Sequence, residues 1–269
     1  MVADSITRGS SKPEDTHRRE ICTAGRWIHA RHFAPATDGN ISVRLDESRI
    51  LATPTCVSKG MMTPDDLVIT DLQGQLVSGQ HRPSSELGMH LLIYQQRPDV
   101  HAICHAHPPI ATGFAAAGIP LDSAILSEAV LSLGCVPLAP YGTPGTPELG
   151  DSIAPLLRNY DAILMANHGC VSYGEDVHQA FFRMETVEHF ARITLVAELL
   201  GGPKVLPRIE VQKLFDSRER YGVKSRANME PGAPVVAEDI EPAQEQLRIT
   251  REELLAIIDE ALRNRGVLA

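Results

Sequence analysis

The stretch Ile103-Cys104-His105-Ala106-His107-Pro108-Pro109 sets two histidines two positions apart in an apolar run. Alternate residues of a strand share a face, so His105 and His107 can present their imidazoles side by side. Two imidazoles on one rigid strand fix much of a tetrahedral metal site. An isolated pair of this kind also occurs as two hydrogen-bonded polar residues at a strand end, so more ligands are needed. Ala166-Asn167-His168-Gly169-Cys170 offers a third imidazole at the end of another apolar stretch, beside a glycine expected to allow a sharp turn. Glu86 offers a carboxylate at an expected helix start, after Ser84 and Ser85. Three imidazoles and a carboxylate complete a tetrahedral zinc site, and the carboxylate can hold its position at rest and yield it to substrate. The same donors suit manganese or cobalt. His90, one turn after Glu86, suits helix packing or support of a ligand.

A second set of residues suits an anion. Arg82-Pro83-Ser84-Ser85-Glu86 places two hydroxyls at a helix N-terminus, where N–H groups lack intrahelical partners. The dipole there supplies only about 0.3–1 kcal/mol, so hydroxyl and backbone hydrogen bonds must carry the recognition. Gly39-Asn40-Ile41-Ser42 and Thr53-Pro54-Thr55-Cys56-Val57-Ser58-Lys59-Gly60 are small-residue loops through which a backbone can approach a ligand. Either could equally be an ordinary turn. Neither is a Walker loop or a dinucleotide fingerprint, so ATP and NAD find no support.

These residues need elements to hold them. Apolar spacing predicts a helix over 17–34, and residues 85–97 read as a helix capped by Ser84 or Ser85 and ended by Arg97-Pro98. Strands are expected at Ile41–Leu45, Ile50–Thr53, Leu67–Thr70, Val100–His107, 134–138 and 161–167. Residues 71–75 read as a hairpin turn, 110–117 as a short Ala-rich helix, and His178 to Leu200 as a long helix closed by Gly201-Gly202-Pro203. Helices and short strands interleave with hairpins, which favours a layered α/β domain with a mixed sheet. Residues 1–16 read as a disordered lead-in, 17–222 as the main domain, and 223–269 as a Pro/Ala/Glu-rich linker with a short helix at 250–264.

The chain has 269 residues, with 43% hydrophobic residues and a net charge of −9. That balance argues against a nucleic-acid partner but permits a locally positive pocket. The cysteines Cys22, Cys56, Cys104, Cys135 and Cys170 are scattered and form no CxxC pair, which favours a reducing cytoplasm. No signal peptide or membrane-crossing apolar run is read.

Taken in order, GNIS, TPT, RPSSE, HAHPP, APYGTPGT and ANHG resemble the class II aldolase/adducin family over about residues 17–222. Within it the motifs are nearest to those of the L-fuculose-1-phosphate aldolases. The resemblance implies a three-layer α/β/α fold with a central mixed, largely antiparallel sheet. It implies a homotetramer with active sites at subunit interfaces, and a phosphorylated sugar as substrate. It assigns His105, His107, His168 and Glu86 to the metal, Glu86 also to acid/base work, and Asn40, Thr55, Ser84 and Ser85 to the phosphate. Cys56 stands where the family loop usually carries glycine. A family tyrosine would fall near Leu126, where none is present, which leaves Glu128 or Tyr221 as proton donor on the aldehyde side.

The implied reaction is reversible cleavage of a ketose 1-phosphate to dihydroxyacetone phosphate and an aldehyde through an enediolate. No lysine stands out as a Schiff-base nucleophile, so a metal is the natural electron sink. A same-family 4-epimerase or decarboxylase would share the metal and differ in its acid/base pair. A non-catalytic adducin-like scaffold would be expected to lack an intact ligand set, and here all four ligands are present.

Overall fold

The computed structural model describes residues 12–223 and 233–240. The chain divides into a compact unit ending at Ala237 and a second unit from Glu238, and the fold below is that of the first. Residues 1–11 of the expected 1–16 lead-in and the expected helix at 250–264 lie outside the described residues.

Eight strands form one sheet: β1 (Asn40–Arg44), β2 (Arg49–Ala52), β3 (Val68–Asp71), β4 (Leu76–Ser78), β5 (Ala102–Ala106), β6 (Leu138–Ala139), β7 (Ala162–Met165) and β8 (Gly169–Gly174). Their order is β4-β3-β2-β1-β5-β8-β7-β6. Every pairing is antiparallel except β6 with β7. The sheet is therefore mixed and largely antiparallel, as expected.

Alternation along each strand feeds two cores, one per face. Ile41, Val43, Ala102, Cys104, Leu164 and Cys170 pack on one face with α1 (Glu14–Ala30), α3 (Pro109–Ala117) and α6 (Val177–Leu199). Ile50, Ile103, Ile163, Val171 and Tyr173 pack on the other with α2 (Leu87–Gln96) and α5 (Pro147–Ile153). This is the three-layer arrangement. A smaller cluster of Ala124, Val130, Val211 and Val236 joins α4 (Ser127–Ser132) to α7 (Arg208–Ser217).

Sequence expectations change at several points, and three of them bear on the architecture. Helix α1 starts at Glu14, inside the segment expected to be a lead-in. Pro13 presets the chain entry, and Glu14 and Asp15 complement the helix dipole in the first turn. The expected linker is ordered at 233–237: Val235 accepts from Ala124 N at 2.8 Å and donates to Asp122 O at 2.8 Å, and Val236 is fully buried. Composition over the whole segment concealed these two valines. Strand β8 was not anticipated, because glycines bracket it and its mixed Cys-Val-Ser-Tyr interior reads as a continuation of the turn. It is a central strand, paired with both β5 and β7.

Helix α2 is tied down at its C-terminal end. Arg97, 3% exposed, donates to Leu157 O at 2.8 Å and Tyr160 O at 3.0 Å, and pairs with Asp161 at 2.8 Å and Asp99 at 2.9 Å. Asp161 also meets Arg183 of α6 at 2.9 Å. This network fixes the end of α2 opposite Glu86. Removing one partner from such a network leaves buried charge uncompensated. Asp161→Ala is expected to destabilise the fold by about 3–5 kcal/mol, read from the urea midpoint.

Candidate metal centre and active site

His105 lies within β5 and His107 just beyond its end, and their ring centroids are 5.0 Å apart. The β1/β5 register sets Asn40 directly opposite His105, so the two share a face. His168 follows β7 in the short turn to β8, with its ring 4.8 Å from His105 and 5.3 Å from His107. One ring nitrogen from each of His105, His107 and His168 lies within 4.8 Å of the others.

The turn before β8 differs from expectation in one detail. Asn167, not Gly169, takes the left-handed conformation, at φ 55°. Asparagine tolerates that region better than most residues. Gly169 is required for space, since a Cβ there would sit 2.5 Å from His107 Cδ2 and 2.7 Å from Ala106 O.

Glu86 is the N-cap of α2 rather than a first-turn residue. Its backbone N–H donates to Ser84 Oγ at 3.3 Å, while its own side chain makes no cap bond. Instead the carboxylate turns to the histidines. Oε1 lies 3.0 Å from His168 Nε2 and Oε2 lies 3.3 Å from His105 Nε2. Asn40 Nδ2 donates to Oε2 at 2.9 Å. Burial opposes ionisation of Glu86, but the imidazoles of His105 and His168 outweigh it and hold the carboxyl far below the usual range. Burial likewise opposes the charged form of His105, yet Glu86 and the Cys170 carbonyl raise its pKa. Burial first, then the charges of His105 and His168, lower that of His107.

The donor set fits a metal ion on grounds internal to the fold. His105 Nδ1 lies 2.9 Å from the Cys170 carbonyl, and donating to it leaves Nε2 with a free lone pair. His105 Nε2, His107 Nε2 and Glu86 Oε1 are buried without a hydrogen-bond partner. Buried polar atoms are seldom left so, and lone pairs converging from three imidazoles and a carboxylate match a divalent cation.

Other residues sort themselves around this group. His90 is fully buried and serves packing: its Nδ1 lies 2.7 Å from Ser42 Oγ, which lies 2.8 Å from the Tyr94 hydroxyl. Burial, then the charge of His105, lowers its pKa to about 3, so it stays neutral. The Thr55 and Ser84 loops are laced together: Thr55 N donates to Arg82 O at 3.0 Å, Ser84 N donates to Thr53 O at 3.3 Å, and Pro54 bridges Pro83. Ser85 is exposed beside them. Cys56 is exposed and adopts φ 59°, the conformation its usual glycine would take without strain. Asn40 was expected at the phosphate, but its amide is engaged by Glu86.

Glu128 and Tyr221 are not brought to the histidines. Glu128 is exposed in the first turn of α4. Tyr221 is 61% exposed in a short 3-10 turn beside α7, with Arg220 over its ring. Two residues around the site were not singled out from sequence: Asp38, and Lys59, which bonds to the Thr37 carbonyl beside it. Asp38 Oδ2 is 3.4 Å from His107 Nδ1, and Lys59 is buried below the adjoining loop. Their signal was a carboxylate and an amine next to the GNIS and TPT motifs. A cavity of about 670 Å³ runs along α2 to Ser85 and Glu86 but touches none of the three histidines.

Comparison with known proteins agrees with this architecture. The family model "Class II Aldolase and Adducin N-terminal domain" matches residues 19–195. A 5-deoxy-D-ribulose 1-phosphate aldolase of Bacillus thuringiensis is 34% identical over 208 residues, covering 76% of this chain and 96% of that protein. A 3-oxo-tetronate 4-phosphate decarboxylase of Pectobacterium atrosepticum is 34% identical over 203 residues, covering 74% and 91%. The solved structure of an L-fuculose 1-phosphate aldolase superposes with a TM-score of 0.72 at 32% identity, covering 78% of this chain and 98% of that one. Among the described residues no helix is long and apolar enough to cross a membrane. A His-His-His-Glu cluster on this sheet, and a family match across most of it, lead to one assignment: the chain belongs to the class II aldolase/adducin family.

Proposed function

We propose that the chain is a divalent-metal aldolase, with zinc the first choice, that cleaves a ketose 1-phosphate to dihydroxyacetone phosphate and an aldehyde. The observation that carries this reading is the convergence of His105, His107, His168 and Glu86 with lone pairs left unmatched in a buried place. A divalent cation held there would act as Lewis acid toward the negative charge left on the ketone fragment, a contribution of several kcal/mol.

The chain's own groups do the rest. Glu86 moves the carbon-bound proton: its neighbours keep it ionised, Asn40 steadies Oε2, and Oε1 faces His168 Nε2 at 3.0 Å. The hydroxyls of Thr55, Ser84 and Ser85 bind the phosphate, supported by the backbone links that hold their loops together. Asn40 can add its amide to the phosphate when Glu86 shifts. Anchoring the phosphate aligns the scissile bond with Glu86. Tyr221 or Glu128 handles the aldehyde-side proton, reaching in from a neighbouring copy of a homotetramer, which fits the exposure of both on the α4/α7 surface. A cytoplasmic setting suits the free thiols.

A second reading is favoured by the equal similarity to a 3-oxo-tetronate 4-phosphate decarboxylase. The two readings share a cation and differ in the bond broken.

Product analysis separates them. Incubation with 5-deoxyribulose 1-phosphate and fuculose 1-phosphate should release dihydroxyacetone phosphate. Release of carbon dioxide from 3-oxo-tetronate 4-phosphate, with no dihydroxyacetone phosphate from either sugar, would establish the decarboxylase instead. His105→Ala is expected to lose metal and turnover together, by elemental analysis and assay. Glu86→Gln should keep its melting temperature within a few degrees and lose at least about a hundredfold in kcat. Cys56 is the exposed cysteine, with Cys22, Cys104, Cys135 and Cys170 buried. One thiol should therefore react rapidly with a disulfide reagent in the native chain, inorganic phosphate should slow that reaction, and the other four should need denaturant.

A further inference from the structure

The segment Thr37-Asp38-Gly39-Asn40 touches several parts of the site. Thr37 O accepts from Lys59 Nζ at 2.9 Å. Asp38 Oδ2 stands 3.4 Å from His107 Nδ1. Gly39, at φ 72°, lies so close to β5 that a Cβ would be 2.8 Å from His105 O. Asn40 donates to Glu86. One short stretch thus meets the phosphate-side loop, two histidines and the carboxylate.

We propose that Asp38 is a positioning residue for His107, and that Lys59, bonded to the neighbouring Thr37 carbonyl, holds the Asp38 segment in place, so that one segment sets the metal ligand and the 53–60 loop together. This rests on the metal-centre reading above. The chemistry is that of an outer carboxylate on a ligating imidazole. A carboxylate 3.4 Å from Nδ1 favours the tautomer with its proton there, and His107 then keeps its lone pair on Nε2, which is the buried atom without a partner. The ring is also fixed from below, since Gly169 leaves only enough room for His107 Cδ2.

Lys59 is the unusual half of the pair. It is 1% exposed, and its ammonium donates to Thr37 O at 2.9 Å and Val57 O at 2.7 Å. Those two carbonyls belong to the two segments that flank the site. A buried ammonium is costly unless nearby charge and carbonyls compensate it. Burial lowers Lys59 to about 8, while Asp38 and Cys56 act in the opposite direction. Helix α1 seats the loop tightly: a Cβ on Gly25 would come within 2.6 Å of Lys59 O. The amine is therefore a built-in tie between the loops rather than a surface lysine that folded inward.

The test is cobalt binding to the metal-free full chain, read by visible d–d absorption, for wild type, Asp38→Ala, Asp38→Asn, Lys59→Met and the double variant Asp38→Ala/Lys59→Met. Asp38→Ala should weaken cobalt about tenfold and alter the spectrum, the lower end of what loss of an outer partner does. Asp38→Asn, which still accepts a hydrogen bond, should recover most of the affinity. Lys59→Met should weaken cobalt in the same direction, and its loss should not add fully to that of Asp38→Ala in the double variant. It should also raise KM for the phosphorylated substrate more than it lowers kcat. Asp38→Ala with wild-type cobalt affinity and spectrum, whatever its melting temperature, overturns the positioning role and leaves the metal centre standing. Wild type that takes up no stoichiometric cobalt overturns the metal centre itself and this role with it.

Discussion

Three imidazoles and a carboxylate converge where little water reaches. His105 Nε2, His107 Nε2 and Glu86 Oε1 find no hydrogen-bond partner there. Each buried polar group left unmatched costs about 1–3 kcal/mol, so the cluster is expensive unless one acceptor of electron pairs serves all its members. The divalent cation proposed here is such an acceptor. Much of the surrounding architecture can be understood as the means of bringing these groups from distant parts of the chain to one point.

Two kinds of device do this. One is rigid attachment. Arg97, Asp99, Asp161 and Arg183 clamp the far end of α2, and Ser84 holds its near end, so Glu86 has a defined place to project from. The other is removal of atoms. Gly169 lets β8 lie against His107, and Gly39 lets β1 lie against His105. Asn167 takes the left-handed turn that swings His168 back toward β5. Side chains in place of these two glycines would push His107 and His105 aside by steric contact alone.

Part of this was legible before any coordinates. Two-residue spacing put His105 and His107 on one side, and the prolines after them marked the strand's end. Serines before Glu86 marked the start of α2 to within two residues. The ordered motifs pointed to the family that the comparisons then showed. Short elements were less legible. Helices α4 and α5, of 6 and 7 residues, are too short for periodicity to rise above the local composition, and the glycines around β8 concealed it. The aldehyde-side assignments to Glu128 and Tyr221 came from resemblance, and within one chain neither reaches the histidines.

By itself the sequence determined the inventory: which donors exist, which of them sit in runs apolar enough to be buried, and which neighbours must lack a side chain. Those are local properties, written within a few residues of one another. Only the tertiary structure decided how the inventory is wired. The β1–β5–β8 register set Asn40 across from His105, the angle of α2 aimed Glu86 away from its own helix, and the fold of the 53–60 loop carried Lys59 to the Thr37 carbonyl. Such contacts join residues as far as 82 positions apart, as Glu86 and His168 are. A one-residue slip of register would turn each side chain to the opposite face. Spacing along the chain holds no record of that choice, which the packing of the whole sheet makes at once.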